Sequence, residues 1–324
     1  MSIFDGRSVL ITGGTGSFGK QFVDTVLRET TARRVVVFSR DELKQFEMQQ
    51  RYPNEPRLRF FIGDVRDYQR LYRAFHEIDL VVHAAALKQV PAAEYNPFEA
   101  VKTNVNGAQN VIEAAIEQGV QRVVALSTDK ACGPINLYGA TKLVSDKLFV
   151  AGNAYAGGAV TRFSVVRYGN VVGSRGSVVP LFKSLAPGGT LPITDEQMTR
   201  FWITLDQGVR FVMDCFELMH GGELYVPKIP SMRVVDLAAA IAPEATLKIV
   251  GIRPGEKLHE EMISINDARS TVDMDSYYVI QPELEWWSNG RIDGPMVPDG
   301  FSYASNTNER WLNVEQLREM VAGV

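Results

Sequence analysis

Between residue 7 and about residue 170, short runs of apolar and β-branched residues alternate with longer amphipathic stretches. Runs that are apolar on both faces are typical of buried parallel strands, and the stretches between them are long enough for crossover helices. The runs are "SVLIT" (8–12), "RVVVF" (34–38), "LRFFI" (58–62), "DLVVHAA" (79–85), "RVVALS" (122–127) and "FSVVRYGNVV" (163–172). This alternation predicts an α/β fold in which helices cover both faces of a doubly wound parallel sheet.

The sequence pattern changes after about residue 173, where Gly, Pro and polar turns separate shorter predicted helices such as 206–219 and 314–322. A chain of 324 residues is long enough for one large core and a second, smaller one. We therefore predict a sheet domain over 1–172 and a smaller lobe mainly over 173–324, with parts of the later chain returning to the sheet. Residues 265–310 contain no pattern to which we assign chemistry.

Composition argues against several classes of protein. A net charge of −4 gives no electrostatic case for nucleic-acid binding. No apolar stretch approaches the roughly 18 residues of a membrane span, and no charged leader precedes an apolar region, so we expect no membrane association. The four histidines lack metal-ligand spacing, so we predict no metal. Cys132 and Cys215 suggest no disulfide framework, which favours a cytoplasmic location.

A glycine-rich segment, "LITGGTGSFGKQF", follows the first predicted strand and opens a helix. Gly14, Gly16 and Gly19 satisfy GxGxxG, and Gly13, Gly16 and Gly19 satisfy GxxGxxG. Glycines here allow a tight turn and close approach of the backbone to a pyrophosphate at the helix N-terminus. An ordinary Gly-rich turn is the alternative, but the strand before and the helix after favour a Rossmann-type dinucleotide site. The expected cofactor contacts are Gly13, Thr15, Gly16, Ser17, Phe18 and Gly19.

The end of the second predicted strand favours NADP over NAD. In NAD sites an acidic residue about twenty positions on accepts a hydrogen bond from the ribose 2′-hydroxyl. This chain has Ser39 and Arg40 there, with Lys44 one helical turn further. A hydroxyl and two cations suit a 2′-phosphate, because charge-assisted bonds to phosphate are strong. Asp41 would favour NAD, but its position predicts the N-cap of the next helix.

Two further strand ends are expected to complete the nucleotide site. Asp64 and Val65, in "GDV", are placed to hold the edge and face of an adenine. The small side chains of Ala84, Ala85 and Ala86 would leave room for the pyrophosphate where a bulky side chain would block it. Simple helix–sheet packing is the alternative explanation for the three alanines, and only the accompanying motifs favour a binding role.

The segment "STDKACGPINLYGATK" (127–142) places four proton-transfer groups within fourteen residues. Tyr138 and Lys142 are four apart, so they share one face of a predicted helix. Asp129 and Lys130 follow the strand "RVVALS", at the carboxyl edge of the sheet where ligands of open α/β folds bind. A YxxxK spacing often arises by chance, and an Asp-Lys pair can be an ordinary solvated ion pair. Together with the dinucleotide loop, however, they indicate a reaction with more than one proton transfer.

These motifs resemble those of the extended short-chain dehydrogenase/reductases over nearly the whole chain. The matching segments are "TGGTGSFG", "GDVRD", "AAALKQVP", "TNVNG" and Tyr138-x-x-x-Lys142. The segments "STDKA", "PINLYGATK", "RYGNVVGSRGSVVP", "MTRFWITLDQGV" and "GIRPGEKLHE" narrow the resemblance to inverting UDP-N-acetylglucosamine 4,6-dehydratases of pseudaminic-acid biosynthesis. Related capsule and O-antigen dehydratases commonly have Met where this chain has Tyr138. The chain departs from the pattern at 131–133, Ala-Cys-Gly, where an Asn is expected before the proline.

The resemblance implies a lyase that removes water between C5 and C6 of UDP-N-acetylglucosamine, with tightly bound NADP recycled in each turnover. Tyr138 is expected to be the base for the 4-hydroxyl, its pKa lowered by Lys142 and the nicotinamide. Lys142 would also hold the nicotinamide ribose. Lys130 is expected to be the C5 base, its pKa lowered by burial and nearby cations, and Asp129 the acid for the 6-hydroxyl. The reverse assignment of these two stays open. Thr128 is expected to orient the sugar.

Further binding residues and an oligomer follow from the same resemblance. Lys88 and Asn170 are expected to contact both cofactor and sugar, and Thr103 to contact the cofactor. The expected UDP-sugar contacts of the later chain are Val179, Arg200, Arg253 and Glu256. Helices 93–118 and 136–156 resemble the pair through which the family dimerises as a four-helix bundle, although their apolar faces would equally suit packing onto the sheet. We expect a homodimer or a larger homo-oligomer.

Three other functions fit parts of the sequence. A UDP-hexose 4-epimerase also uses Tyr and Lys, but it has no need of an Asp-Lys pair because it breaks no bond at C5 or C6. A retaining 4,6-dehydratase is expected to have an Asp-Glu pair where this chain has Asp129 and Lys130. A non-catalytic NADP-binding regulator would leave the whole proton-transfer set unexplained.

Overall fold

The computed structural model describes residues 2–173, 177–284 and 290–323. The strands are β1 (Ser8–Thr12), β2 (Arg34–Ser39), β3 (Leu58–Ile62), β4 (Leu80–His83), β5 (Arg122–Leu126), β6 (Arg162–Val166), β7 (Asn170–Val171), β8 (Thr190–Ile193), β9 (Thr199–Ile203), β10 (Leu224–Pro227), β11 (Ser231–Arg233), β12 (Thr246–Ile249), β13 (Glu261–Ile263), β14 (Thr271–Asp273), β15 (Tyr277–Ile280) and β16 (Tyr303–Ala304). The α-helices are α1 (Ser17–Glu29), α2 (Glu42–Gln49), α3 (Tyr68–Ala74), α4 (Val90–Tyr95), α5 (Pro97–Val101), α6 (Gly107–Glu117), α7 (Leu137–Tyr155), α8 (Val178–Leu185), α9 (Leu205–Leu218), α10 (Val234–Ile241) and α11 (Val314–Ala322).

The central sheet has the strand order β14-β15-β10-β6-β5-β4-β1-β2-β3. Neighbouring strands from β10 through β3 are parallel, whereas β15 and β14 are antiparallel additions at one edge. From β1 the chain builds outward through β2 and β3, and from β4 it builds outward in the opposite direction. Such a reversal opens a crevice at the carboxyl ends of β1 and β4. The predicted doubly wound α/β fold is confirmed.

A second, smaller core lies in the later part of the chain. It is enclosed by the sheet β11-β9-β7, the strand pair β12-β8 and the helices α8, α10 and α11. The later chain also returns to the central sheet through β10, β14 and β15. Within the described ranges, no helix is both long and apolar enough to cross a membrane.

Local capping explains where several helices begin. Asn136 caps α7 by accepting a hydrogen bond from the Gly139 amide at 2.7 Å. The predicted helices 206–219 and 314–322 are confirmed as α9 and α11, and each begins at a capping box, Thr204 with Gln207 and Asn313 with Gln316. The start of α7 places Tyr138 in its first turn and Lys142 in its second.

Two boundaries predicted from sequence are wrong. The run 163–172 is not one strand, because β6 ends at Val166 and β7 pairs with β9 in the smaller lobe. The predicted helix 93–118 is divided into α4, α5 and α6, because Asn96 leaves the helical conformation and a π-helical turn, Lys102–Asn106, precedes α6. Residues 174–176, within the segment "RYGNVVGSRGSVVP", lie outside the described residues.

Candidate active site

A cavity of about 530 Å³ opens at the carboxyl ends of the parallel strands. Every residue that the sequence predicted to bind the cofactor or to act in catalysis lines it. These residues are Gly13, Thr15, Gly16, Ser17, Phe18, Gly19, Ser39, Arg40, Lys44, Asp64, Val65, Ala84, Ala85, Ala86, Lys88, Thr103, Thr128, Asp129, Lys130, Tyr138, Lys142 and Asn170. The structure thus brings them to one place, at the crevice where open α/β sheets bind ligands. Their individual roles stay predictions.

The glycine-rich loop brings bare backbone to the cavity wall. Gly13 has a φ of +68°, and a Cβ there would lie 2.9 Å from the Ala85 amide nitrogen. A Cβ at Gly19 would lie 2.4 Å from Gly14 Cα, so glycine lets helix α1 pack directly on the loop. Gly16 is the N-cap of α1 and has no side chain to satisfy the first amides. A helix N-terminus without a side-chain cap favours binding of a diphosphate.

The end of β2 presents a hydroxyl and two cations to the cavity, and both cations have carboxylate neighbours. Asp41 accepts a hydrogen bond from the Lys44 amide at 3.0 Å, which confirms the predicted N-cap. Its carboxylate also contacts the Lys44 ammonium. The Arg40 guanidinium lies 3.6 Å from Asp64 Oδ2 and is half exposed. Ser39 lies beside them in the cavity lining.

The predicted catalytic side chains meet where β5 leads into α7. A 3₁₀ turn, Asp129–Ala131, follows the strand. The Thr128 hydroxyl donates to Asp129 Oδ1 at 2.9 Å, and Lys130 Nζ donates to the same oxygen at 3.1 Å. Tyr138 and Lys142 are both buried one turn apart on α7. The four proton-transfer groups therefore share one wall of the cavity.

Lys130 lies between two carboxylates. Its Nζ is 3.1 Å from Asp129 Oδ1 and 3.0 Å from Glu260 Oε1. Burial lowers the pKa of Lys130, but the charges of Asp129 and Glu260 outweigh burial and raise the pKa well above its usual value. The expected lowering of this pKa is therefore wrong for the protein alone. The sequence near Lys130 gives no indication of Glu260, because that residue lies far away along the chain.

Tyr138 also differs from its predicted ionisation. Burial raises the pKa of Tyr138 to about 12, against the lowering effects of the Lys130 charge and a hydrogen bond with Thr128. Burial lowers the pKa of Lys142, and the nearby carboxylate of Asp146 opposes that change. The predicted lowering of the Tyr138 pKa is thus not found in the protein alone, where the phenol is neutral at pH 7.

A buried histidine that the sequence did not single out helps to fix the backbone at the carboxyl end of β4. The amides of Ala84 and Ala85 donate to Thr12 Oγ1 at 3.2 and 3.3 Å. Thr12 Oγ1 lies 2.9 Å from His83 Nδ1. Burial and the charge of Lys142 lower the pKa of His83 to about 3, so the ring is neutral and its Nδ1 can accept from Thr12. This network holds the small alanines against the glycine-rich loop.

Two other residues that the sequence did not single out hold the backbone of the site. Asn104 binds both the amide and the carbonyl of Leu87, at 2.8 and 3.0 Å, and also donates to Thr141 Oγ1 at 3.0 Å. A Cβ at Gly139 would lie 2.1 Å from the Lys130 carbonyl oxygen. Both residues occur inside motifs quoted above, but a motif alone does not reveal which of its members make tertiary contacts.

Four predicted substrate contacts do not line the cavity. Val179 is fully buried in the second core. Arg200 is buried and donates to the carbonyls of Thr199, Lys257 and Leu258. Glu256 lies 3.4 Å from the Arg200 guanidinium. Arg253 is exposed on the loop before β13. The first three side chains are therefore engaged within the smaller lobe.

Comparison with known proteins identifies the family. A family model described as polysaccharide biosynthesis protein matches residues 9–282. The chain belongs to this family. Among curated members, it is 55% identical to the UDP-N-acetylglucosamine 4,6-dehydratase (inverting) of Campylobacter jejuni over 98% of each chain. It is 38% identical to a protein of Rickettsia conorii named UDP-glucose 4-epimerase, over 98% of this chain and 96% of the relative. The predicted resemblance to inverting UDP-N-acetylglucosamine 4,6-dehydratases is confirmed.

Solved structures of similar proteins share the fold. The structure of Pen from Bacillus thuringiensis is 36% identical, with a TM-score of 0.90 over 99% of each chain. DesIV, a dTDP-glucose 4,6-dehydratase from Streptomyces venezuelae solved with NAD and TYD bound, is 28% identical. Its TM-score is 0.70 over 78% of this chain and 86% of the other. The similarity therefore extends through both the sheet and the smaller lobe in Pen.

Proposed function

We propose that this chain is an inverting UDP-N-acetylglucosamine 4,6-dehydratase, a hydro-lyase that yields a UDP-4-keto-6-deoxy-L-hexose derivative. The observation that carries the proposal is the convergence of Asp129 and Lys130 with Tyr138 and Lys142 in one cavity. Oxidation at C4 requires only the Tyr and the Lys, whereas loss of water between C5 and C6 needs a second acid–base pair. The 55% identity to a dehydratase of that name supports the assignment.

The residues at the crevice fit a dinucleotide. The glycine loop has no room for side chains, and the N-terminus of α1 suits a diphosphate. Ser39, Arg40 and Lys44 support NADP over NAD, since they offer a hydroxyl and two cations for a 2′-phosphate. When bound, NADP would accept the hydride from C4 and return it to C6, so no net cofactor is consumed. Nucleotide released by denaturing the purified protein can be identified by mass spectrometry, and NAD alone would contradict this choice.

Tyr138 would take the proton of the 4-hydroxyl. The phenol is neutral in the protein alone, because burial raises its pKa to about 12. Lys130 and Thr128 already favour the phenolate, and the positive charge of an oxidised nicotinamide would act in the same direction. Lys142, one turn away on α7, would hold the nicotinamide ribose and supply a further positive charge. C4 oxidation then makes the C5 proton acidic enough for a side-chain base.

Asp129 and Lys130 would perform the elimination. Transfer of one proton from Lys130 Nζ to Asp129 Oδ1, across 3.1 Å, converts an ammonium and a carboxylate into an amine and a carboxylic acid. The amine can then remove the C5 proton, and the acid can protonate the departing 6-hydroxyl. One internal transfer thus produces both groups in the required state. If Asp129 were the C5 base and Lys130 the acid, no prior proton transfer would be needed. These exchanged roles remain the competing assignment.

We also propose that the protein is a cytoplasmic homo-oligomer. Large apolar side chains are exposed on the two helical segments predicted to dimerise, including Tyr95, Phe98 and Tyr155. Exposed aromatic side chains of this kind favour an interface between copies. Sedimentation equilibrium would measure the mass in solution. A monomer at micromolar concentration would contradict the proposal.

NMR of the purified protein with UDP-N-acetylglucosamine in deuterated water, without added cofactor, tests the function. A 6-deoxy-4-keto product that carries deuterium at an inverted C5 is expected. Retained configuration at C5 would assign the chain to the other stereochemical class of dehydratases. A 4-epimer without loss of water would favour the epimerase, the activity named for the 38% identical relative. No turnover with NADP present would contradict the dehydratase with this substrate.

A further inference from the structure

Glu260 is a buried carboxylate of the smaller lobe that reaches the catalytic lysine. It is the last residue of "GIRPGEKLHE" and is 1% exposed. Its Oε1 lies 3.0 Å from Lys130 Nζ and 3.7 Å from Arg200 Nε. Within the described residues, Glu260 Oε2 and Asp129 Oδ2 are buried without a hydrogen-bond partner. Burying a carboxylate with an unsatisfied oxygen is costly. The arrangement therefore indicates a function for the charge at this position.

The backbone of Glu260 is fixed independently of its side chain. Its amide donates to Ser305 Oγ at 2.9 Å, and its carbonyl accepts from the Ser305 amide at 2.7 Å. Ser305 is fully buried and also bonds to Thr199 Oγ1 at 2.7 Å. The adjacent strand β13 pairs with β16. Part of the segment 265–310, to which the sequence assigned no chemistry, thus sets the position of Glu260.

We propose that Glu260 is a positioning residue for Lys130: its carboxylate holds Nζ against Asp129 and keeps the side chain an ammonium until substrate binds. The catalytic part of this inference rests on the proposed function. The charged and titratable groups around Lys130 are Asp129 on its own turn, Tyr138 on α7, Arg200 on β9 and Glu260 before β13. The two carboxylates near 3 Å stabilise the ammonium more than burial and the charge of Arg200 oppose it.

An ammonium is the suitable resting form for a lysine beside a sugar ketone. Neutral lysine amines condense with carbonyl groups to form Schiff bases. A lysine that loses its proton only to Asp129, during the elimination, avoids that side reaction. Glu260 also comes from the smaller lobe, so it links the position of the lysine to the part of the chain expected to hold the sugar nucleotide.

Competitive labelling of the full-length protein tests the inference without a substrate. Lys130 lines the cavity and a quarter of its side chain is exposed, so acetic anhydride can reach it. Mass spectrometry would measure its acetylation against pH in the wild type and in Glu260→Gln, which keeps the shape and removes the charge. We expect the midpoint to fall by at least about one pH unit in the variant, since a nearby opposite charge moves a pKa by about 1–3 units. An unchanged midpoint in folded protein would overturn the proposal.

Three further variants separate charge from structure. Glu261→Gln removes the neighbouring carboxylate, which contacts Cys132 rather than Lys130, and should leave the midpoint unchanged. Glu260→Asp keeps the charge and should restore the midpoint towards the wild-type value. Ser305→Ala keeps both charges but removes the hydroxyl anchor, so it should lower the midpoint by less than Glu260→Gln. If Glu260→Gln does not fold, an unchanged midpoint in Ser305→Ala would overturn the proposal.

Turnover distinguishes failure of this inference from failure of the proposed function. Deuterium exchange at C5 depends on Lys130, whereas oxidation at C4 depends on Tyr138. In Glu260→Gln we expect the pH profile of C5 exchange to move to lower pH while C4 oxidation changes by less than about threefold. A labelling shift without any turnover in the wild type would retain the positioning role and reject the dehydratase. Normal turnover without a labelling shift would retain the dehydratase and reject the positioning role.

Discussion

Burial and charged neighbours reinforce the protonated forms of two residues in this site. Burial raises the pKa of Tyr138 to about 12, while two carboxylates raise the pKa of Lys130 against the effect of burial. At pH 7 the protein alone therefore holds a phenol and an ammonium, neither of them yet a base. In the proposed mechanism, a bound cofactor and one internal proton transfer make both groups active.

Replacing Tyr138 with Phe should strongly slow C4 oxidation while leaving the fold intact. General base catalysis is worth about 10²- to 10⁴-fold in rate, so turnover should fall by that factor. Because its pKa is above 7, the wild-type rate should rise with pH as the phenolate fraction grows. The absorbance of reduced nicotinamide after mixing with substrate measures this step. Tyr72→Phe, on the surface of α3, is the matched control, and a Tyr138→Phe rate within about threefold of wild type would exclude Tyr138 as the base.

His83 should make the protein less stable in mild acid. Its pKa is about 3 when folded, because of burial and the charge of Lys142, against about 6.5 when unfolded. The unfolded state therefore binds the extra proton between these values, and stability present above pH 6.5 is lost as the pH falls. Each unit below 6.5 should cost about 1.4 kcal/mol in free energy of unfolding.

Urea unfolding at pH 7.5 and 5.5 measures that effect. His83→Asn keeps an acceptor for Thr12 and should reduce the difference between the two pH values by about 1.4 kcal/mol. His76→Asn replaces an exposed histidine and should leave the difference as in the wild type. If both variants lose stability equally between the two pH values, His83 is not the group responsible.

The sequence predicted which residues meet in the site, but it did not predict the direction of their pKa shifts. Spacing brought Asp129, Lys130, Tyr138 and Lys142 together because strand ends and helical faces have fixed geometry. The pKa values depend on distances of about 3 Å to residues far apart in the chain, such as the 3.0 Å between Lys130 and Glu260. A local motif contains no information on such pairs. The buried positions of Val179 and Arg200 were missed for the same reason.

Among the elements, helix α7 and the turn after β5 bring the four proposed proton-transfer groups together. The helix approaches the turn at Gly139, where a Cβ would meet the Lys130 carbonyl oxygen at 2.1 Å. The same glycine donates its amide to the Asn136 cap. The register of α7 therefore sets the distance between Tyr138 and Lys130.

Replacing Gly139 with Ala should disturb catalysis more than stability. The added methyl group must displace either α7 or the Lys130 turn, and overpacking of this kind costs about 1–3 kcal/mol. A displacement of about 1 Å in the reacting groups can reduce turnover by about 10²-fold. Thermal melting and turnover measure the two effects. Gly158→Ala, where a Cβ would meet open space, should change neither. Wild-type turnover in a folded Gly139→Ala would show that the turn and helix do not need this close contact.

Element prediction failed where tertiary pairing overrode local pattern. The run 163–172 is largely apolar although it includes Arg167 and Asn170, and its second half leaves the sheet to pair with β9. Gly169 permits this departure, since a Cβ there would lie 2.5 Å from Phe201 Cβ. The strands buried in the sheet centre were predictable because they are apolar on both faces. Whether the second half of this run joins the central sheet or the smaller one depends on its pairing with β9, about thirty positions further along the chain.

Over the whole molecule, two separate cores support two parts of one site. The core of the central sheet supports the nucleotide crevice and α7, whereas the second core includes Met198 and Trp202 on either side of Arg200, and Leu258 packs against it two residues before Glu260. Because Lys130 contacts both lobes, loosening the smaller lobe should affect the proposed chemistry without removing the proposed dinucleotide site. Parts of a protein that pack around separate cores can unfold locally, each with its own free energy of opening.

Replacing Leu317 with Ala should loosen the smaller lobe selectively. Leu317 lies on α11 and is fully buried in the second core, and truncation of a buried leucine costs about 2–5 kcal/mol. Hydrogen exchange should accelerate in α8, α10 and α11 but remain slow in β1 and β4, which belong to the other core. Leu247→Ala, at a partly exposed position on β12, should leave both patterns unchanged. Equal acceleration in both lobes would mean that they unfold as one cooperative unit, and turnover would then fall together with cofactor retention.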